Sequence, residues 1–220
     1  MVLRTMIEQT RRDMFNICEI AGPTSPLTVQ ISQKLDNLLN LYQQKYGKDP
    51  FDIHSIKNLK VDGSIINNII QGSLHYDSSL AKTLNEFDLH KMNPNKWYPI
   101  HRIEEIFSYF EEHYNDELFS YIGQWVPVNC QFPDNIDTFE KSLLKLNVAY
   151  HLNHSHPSAG YYEVFKDGPN EYTVICNTPF YPYAFNYGII KGLALKYNIQ
   201  VQTTIVSYIK GGEFKVIVTN

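Results

Sequence analysis

Cysteine is scarce in this chain. There are three in 220 residues, Cys18, Cys130 and Cys176, odd in number and widely spaced. That argues against a disulfide framework and fits reduced thiols in a cytoplasmic protein. No apolar run approaches the roughly 20 residues of a membrane span, and no signal-peptide pattern opens the chain, so no membrane association is expected. Basic runs are missing too, and with a net charge of −4 the electrostatic footprint of a nucleic-acid binder is lacking. Residues 1–46 hold 5 basic and 4 acidic side chains, against 14 and 19 in the remainder. The opening segment is therefore near neutral and the body mildly acidic. The surplus is aromatic: 16 tyrosines and 12 phenylalanines predict aromatic-rich packing or a pocket in the larger part. The length suits one sizeable domain and a small one.

Two amphipathic helices open the chain. Leu3, Met6, Ile7, Met14, Ile17 and Ala21 are expected on one side of the first. Gly22-Pro23 stops it, since Gly suits a left-handed C-terminal cap and Pro cannot continue a helix. Ser25 is the expected N-cap of the second helix, with Pro26 at its first position. Thr28 stands where a capping box would have Glu or Gln. Leu27, Ile31, Leu35, Leu38 and Tyr42 give this helix an apolar stripe at three-and-four spacing. Helices of similar length with a short joint predict an antiparallel hairpin over 1–46. A unit of about 45 residues buries little surface, so it is expected to pair with itself as a homodimer or to lean on the rest of the chain.

The wetter side of the second helix carries the groups with chemistry. Asp36 lies three residues from Gln33 and four from Ser32 and Asn40, which makes these side chains neighbours on one face. Ser32, Gln33, Leu35, Asp36, Leu38, Leu39, Tyr42 and Gln43 resemble the S-Q-x-L-D helix, leucine pair and Tyr-Gln of the stage-zero sporulation protein E-like aspartyl-phosphate phosphatases. Ile7-Glu8 and Arg11-Arg12-Asp13-Met14 fit the first helix of that family, while Lys34 stands where it often has Glu. The resemblance implies a negative regulator of sporulation that hydrolyses the aspartyl phosphate of a response regulator. The phosphorylated regulator would bring its own Mg²⁺, and this chain would need no cofactor of its own. By that resemblance Asp36 is the more critical catalytic residue, with Gln33 beside it. Ser32, Lys34, Asn37 and Asn40 are the partner-binding candidates. Phosphoryl transfer asks a visiting protein for little beyond positioning an in-line water. Gln33 can hold that water, and Asp36 can accept its proton or orient it. On an arbitrary helix the same side chains would merely solvate the surface.

Gly47-Lys48-Asp49-Pro50 ends the hairpin, and a polar linker is expected over 47–60. Residues 61–220 then read as an α+β domain with an antiparallel sheet. Helices are predicted around Ile65–Ile70, around Leu80–Phe87, after the aromatic entry Trp97-Tyr98-Pro99, and around Leu143–Ala149. GYYEVFK and EYTVICN form a hairpin about Asp167-Gly168-Pro169-Asn170. A helix near Gly188 to Tyr197 follows, and then IQVQTTIVSY and EFKVIVT about Gly211-Gly212. The segments VDGSIINNIIQ, NKWYPIHRIEEIF and GYYEV, with CNTPFYPYAFNYGIIKGLA and a later Gly-Gly, resemble bacterial sensory domains related to the heme-nitric-oxide-binding and four-vinyl-reductase group. The likeness runs over about residues 58–220 and implies small-molecule sensing or partner docking. The heme-binding signature Tyr-x-Ser-x-Arg is missing, which argues against heme.

Trp97, Tyr98, Phe180, Tyr181 and Tyr183 are candidate pocket residues for an unknown small-molecule ligand, although packing under a loop explains the 180–183 aromatics equally well. His151-x-x-His154-x-His156 could gather imidazoles, but no cysteine pair or acidic cluster completes a metal set, and no metal is expected. Cys176, at a strand end, reads more readily as a small buried side chain than as a reactive thiol. Two readings stand: an aspartyl-phosphate phosphatase tuned by the larger domain, or a small-molecule sensor whose hairpin serves dimerisation or docking. A third, plain scaffold reading leaves the helical face inert.

Overall fold

The computed structural model describes residues 2–46, 59–156, 159–208 and 211–219. The chain divides into two compact units, Met1–Ser55 and Ile56–Asn220. The first consists of helices α1 (Val2–Ala21) and α2 (Pro26–Tyr46). Gly22 takes φ +86°, a left-handed conformation that a Cβ would strain, and its N–H reaches Cys18 O at 2.9 Å, closing α1 as expected. Ser25 Oγ accepts from Thr28 N at 3.1 Å, the bond of an N-cap. Thr28 compensates for the absent capping box: its hydroxyl donates to Gly22 O at 2.7 Å and lies 2.8 Å from Ser25 Oγ. Having given its one proton to that carbonyl, Thr28 receives the proton of Ser25. This hydroxyl chain fixes the turn between the helices.

Ile7, Leu35 and Leu38 form the buried core of the hairpin, with Met14, Leu39 and Tyr42 packed against it. The apolar stripe is shorter than its periodicity predicted. Leu27 is 59 % exposed and Met6 is also exposed, as is Ala21. Eight helical steps turn Leu27 about 80° away from Leu35, and one step turns Met6 about 100° from Ile7, so neither reaches the seam. The side chains of Leu3, Glu8, Arg12 and Gln43 and the linker residues 47–58 lie outside the described residues.

The second unit is α+β with antiparallel sheets. Its first strand, β1 (Lys60–Asp62), pairs antiparallel with β2 (Trp97–Pro99) through Val61↔Tyr98. Trp97-Tyr98-Pro99 is thus a short strand that leads directly into the helix expected after it, and Lys60 already belongs to this unit. Helices α3 (Gly63–Tyr76) and α4 (Ala81–Glu86) lie between the two strands, with 3-10 turns at Ser78–Leu80 and Leu89–Lys91. Asp62 caps α3 by accepting from Ser64 N at 2.9 Å. Helix α5 (His101–His113) follows, then α6 (Asp116–Asn129), α7 (Phe139–Leu144) and α8 (Leu146–Leu152).

Helix α6, capped by Asn115, buries Leu118, Phe119, Ile122 and Val126 at helical spacing and was not among the helices expected. Its glycine is there for packing. A Cβ on Gly123 would come within 2.1 Å of Phe185 O, and one on Gly188 within 2.1 Å of Ser120 O. The two backbones touch where α6 crosses α9 (Tyr183–Lys196). The sheet runs β3 (Tyr161–Lys166), β4 (Glu171–Asn177), β6 (Glu213–Val218), β5 (Val201–Ser207), all antiparallel. Both predicted hairpins are present, and Val174↔Phe214 joins them through β6. Tyr172, Val174, Cys176, Phe214 and Val216 are buried on alternate positions, the period of a half-covered sheet.

Candidate functional site

Two places carry chemistry, one in each unit. On α2, Asp36, Gln33 and Asn40 are exposed and Ser32 is half-buried. At 100° per residue the first three fall within an arc of about 60°. Among the described residues no hydrogen bond or ion pair engages Asp36, Gln33 or Asn40. Lys34 and Asn37 are exposed as well; Asn37 lies about 40° around the helix from Gln33 and about 100° from Asp36, bordering the face on its Gln33 side, while Lys34 sits about 160° from Asp36. The grouped face is therefore a carboxylate flanked by two carboxamides, with all three heads open to an incoming molecule.

The second place is an apolar cavity of about 40 Å³ inside the larger unit. Ile65 of α3, Val126 of α6, Ala149 of α8 and Ile189 of α9 supply its aliphatic wall. The remaining lining residues include polar side chains, and each is turned to a partner in the wall. Tyr150 Oη donates to Ala159 O at 2.6 Å, and Tyr162 Oη donates to Asn186 Oδ1. His154 Nδ1 lies 2.7 Å from Tyr150 O and its Nε2 lies 2.8 Å from Tyr181 Oη. A carbonyl only accepts, so Nδ1 carries the proton and Nε2 accepts from the Tyr181 hydroxyl. The imidazole also stacks on Tyr150 at 3.9 Å. Burial holds His154 down to about 4, because a charged ring there would be cut off from water. Burial likewise pushes the Cys130 thiol up to about 12, and its sulfur accepts from Asn68 Nδ2 at 2.8 Å.

Of the pocket aromatics expected from sequence, the cavity takes only Tyr181. Phe180 shares with Tyr181 a separate cleft of about 60 Å³ beside Glu104 and Glu111. Trp97 is exposed, and Tyr98 accepts from Asn93 N at 2.6 Å. Tyr183 is turned to Asp116, because the helix begins at that residue, directly after Pro182, earlier than the Gly188 start expected. Its hydroxyl is raised to about 12 by burial and then by the Asp116 carboxylate. The His151, His154, His156 run does not converge: among the described residues no group of three His, Cys, Asp or Glu side chains could hold a metal. Cys176 is buried, and burial raises its thiol well above the ordinary range. Asn153 was not anticipated at all. Its amide donates to Gln131 O at 2.9 Å and Ala149 O at 2.7 Å and accepts from Gln131 N at 3.2 Å. No local pattern announces a tie across 22 residues.

Residues 3–44 match the family described as Spo0E like sporulation regulatory protein. The hairpin is Spo0E-like. No curated protein matches the chain. Among solved structures, an H-NOX protein from S. oneidensis in the Fe(II)NO ligation state is 13 % identical, covering 73 % of this chain and 100 % of that one with TM-score 0.53. A variant of Tt H-NOX is 12 % identical over 72 % of this chain and 95 % of that one, TM-score 0.52. A structure solved to probe heme distortion in the H-NOX family shows 11 % identity with the same two coverages and TM-score 0.52. At these identities the likeness is one of fold, and the larger part of the chain is H-NOX-like in fold.

That fold raises the question of heme, and the interior does not fit it. An engineered cavity that holds benzene measures about 150 Å³; the 40 Å³ here is far too small for a porphyrin. The one imidazole in the cavity wall has both nitrogens engaged. An iron ligand would have to take Nε2 from Tyr181 and leave that hydroxyl buried without a partner, at a cost of about 1–3 kcal/mol.

Proposed function

We propose that this chain is a cytoplasmic negative regulator of sporulation. Its Spo0E-like hairpin hydrolyses the aspartyl phosphate of a response regulator, and its H-NOX-like domain senses a small molecule that tunes that activity. One observation carries the reading: within the segment that matches the family, the carboxylate of Asp36 and the amide of Gln33 stand exposed on one face, with no partner among the described residues.

The reaction adds water to the regulator's acyl phosphate. The water oxygen bonds to phosphorus, the bond from phosphorus to the regulator's aspartyl oxygen breaks, and the electron pair returns to that carboxylate. Charge on the phosphoryl oxygens is met by the regulator's own Mg²⁺. Gln33 holds the water in line and Asp36 takes or directs its proton, a contribution of about 10²–10⁴-fold for a positioned base. Asn40 and Ser32 contact the regulator beside them. Asn37 borders Gln33 and extends the surface that meets the regulator, and Lys34 contributes from a neighbouring face of the same helix.

The test is phosphate release from a phosphorylated sporulation response regulator. Wild-type chain accelerates it, and Asp36→Ala loses at least about 10²-fold with unchanged helical circular dichroism. Equal rates would remove the assignment. The second reading, a ligand sensor whose hairpin only docks or dimerises, rests on the H-NOX-like fold of most of the chain. It predicts ligand binding with no phosphate release by either protein.

A further inference from the structure

The cavity of the larger unit is lined almost entirely by apolar surface. A water needs two to four polar partners and roughly 10–15 Å³. The cavity has the room, at about 40 Å³, but the polar atoms around it are committed: Tyr181 to His154, His154 to Tyr150, Tyr162 to Asn186, Asn153 to Gln131. Apolar voids of this kind stay empty of water and accept apolar guests such as xenon or benzene. Of all its lining residues only Cys130 and Phe132 also reach solvent; every other one is buried. Those two flank Gln131, the residue whose N–H and C=O the buried Asn153 amide holds together. From outside, Lys196 Nζ lies over the Phe132 ring at 5.2 Å. Three consecutive residues thus close the cavity, and a single side chain clasps the middle one.

We infer that this cavity is a gated site for a small, neutral, apolar molecule, admitted past Cys130 and Phe132 when the Asn153 clasp opens. Size limits the guest to that of a dissolved gas or a short alkyl group, unless Phe132 swings out. A charged or strongly polar guest finds no free N–H or O–H donor, since those of Tyr150, Asn153, His154, Tyr162 and Tyr181 are already given to protein acceptors. The site rests on the sensory reading only for its consequence, the tuning of the hairpin, and not for binding itself.

Xenon is the probe for the full-length chain, read by methyl NMR. Saturable shifts of the Ile65, Ala149 and Ile189 methyls are expected, and Ala149→Ile, which fills the void, removes those of the two isoleucines. Unmoved methyls in the wild type overturn the site. Should Ala149→Ile fail to fold, Phe132→Ala decides. Enlarged at its door, that variant is expected to gain about 3 °C or more in thermal midpoint with benzene at ten times its dissociation constant; no gain at any benzene concentration overturns the site. Hemin titration is expected to give no saturable Soret band, and such a band would overturn it as well. Xenon that fills the cavity yet leaves phosphate release from the regulator unchanged upholds the site and removes only the sensory coupling.

Discussion

The two units keep their polar groups in opposite ways. Among the described residues the Spo0E-like hairpin packs on a small apolar core of Ile7, Leu35 and Leu38, beside the buried Thr10 and Thr28, and leaves Asp36, Gln33 and Asn40 open. The H-NOX-like unit buries Asn68, Asn153, His154 and Asn186 and ties each to a neighbour. On the proposed reading, an exposed, unengaged carboxylate acts only when a partner supplies the phosphate, whereas a buried, satisfied network shapes an interior. The difference teaches where each unit would find its specificity: in the hairpin, on a surface another protein completes; in the larger unit, in the size and apolar lining of a cavity the chain completes itself.

That contrast can be broken from either side. The largest effect is expected at the α6–α9 crossing. Gly188→Val would drive a side chain into Ser120 O, which even a lone Cβ on Gly188 would approach to 2.1 Å. It should cost about 3 kcal/mol or more, melting the sheet-bearing unit in a thermal scan while the helical hairpin signal persists. In the hairpin, Leu35→Ala should cost about 2–5 kcal/mol, most of what so small a core can supply, whereas Leu27→Ala should change helicity by less than about 0.5 kcal/mol. Equal losses at the two leucines would mean that the seam runs along the full stripe.

Acid gives the next effect, and it separates the units. Burial lowers His154 to about 4, below the roughly 6.5 of an unfolded histidine. Its contribution is therefore fully present above about pH 6.5 and is lost as the pH falls toward 4, on the order of 3 kcal/mol in all. The thermal midpoint of the larger unit should fall across that window, and His154→Gln should flatten the fall. A pH-independent midpoint in wild type would show that His154 is not held neutral. The smallest effect is Thr28→Val, which removes the bond to Gly22 O and the acceptor for Ser25. It should cost about 1 kcal/mol of hairpin stability, read as lost helical ellipticity on warming.

How much of this was legible in the sequence follows from how local each feature is. The hairpin's motif is a run on one helix, so Asp36, Gln33 and Asn40 could be grouped by spacing alone, and Gly22 announced its own turn. Asn37, four residues after Gln33, borders the same group, while Lys34 lies about 160° from Asp36 around the helix. The hairpins of the sheet were marked by Asp167–Asn170 and Gly211-Gly212. Helix α6 was legible as well, although no helix was expected there: Asn115 caps it, Asp116 and Glu117 open it, and Leu118, Ile122 and Val126 recur every four residues despite Gly123 and Pro127. Strands β1 and β2 hold three residues each, too few to show alternation. The cavity was least legible. Ile65, Val126, Ala149 and Ile189 come from four helices, and only tertiary packing distinguishes Tyr181, which faces the cavity, from Trp97, Tyr98 and Tyr183, which do not.

The most direct measurement of the central claim is a single-turnover assay of phosphate release from the phosphorylated regulator, run beside a binding titration, with wild-type chain and Asp36→Asn. The isosteric amide keeps the shape of the face and removes the base. The account predicts regulator binding within about twofold of wild type and phosphate release slowed by about 10²-fold or more. Release at the wild-type rate by a chain that carries asparagine in place of Asp36 would contradict it.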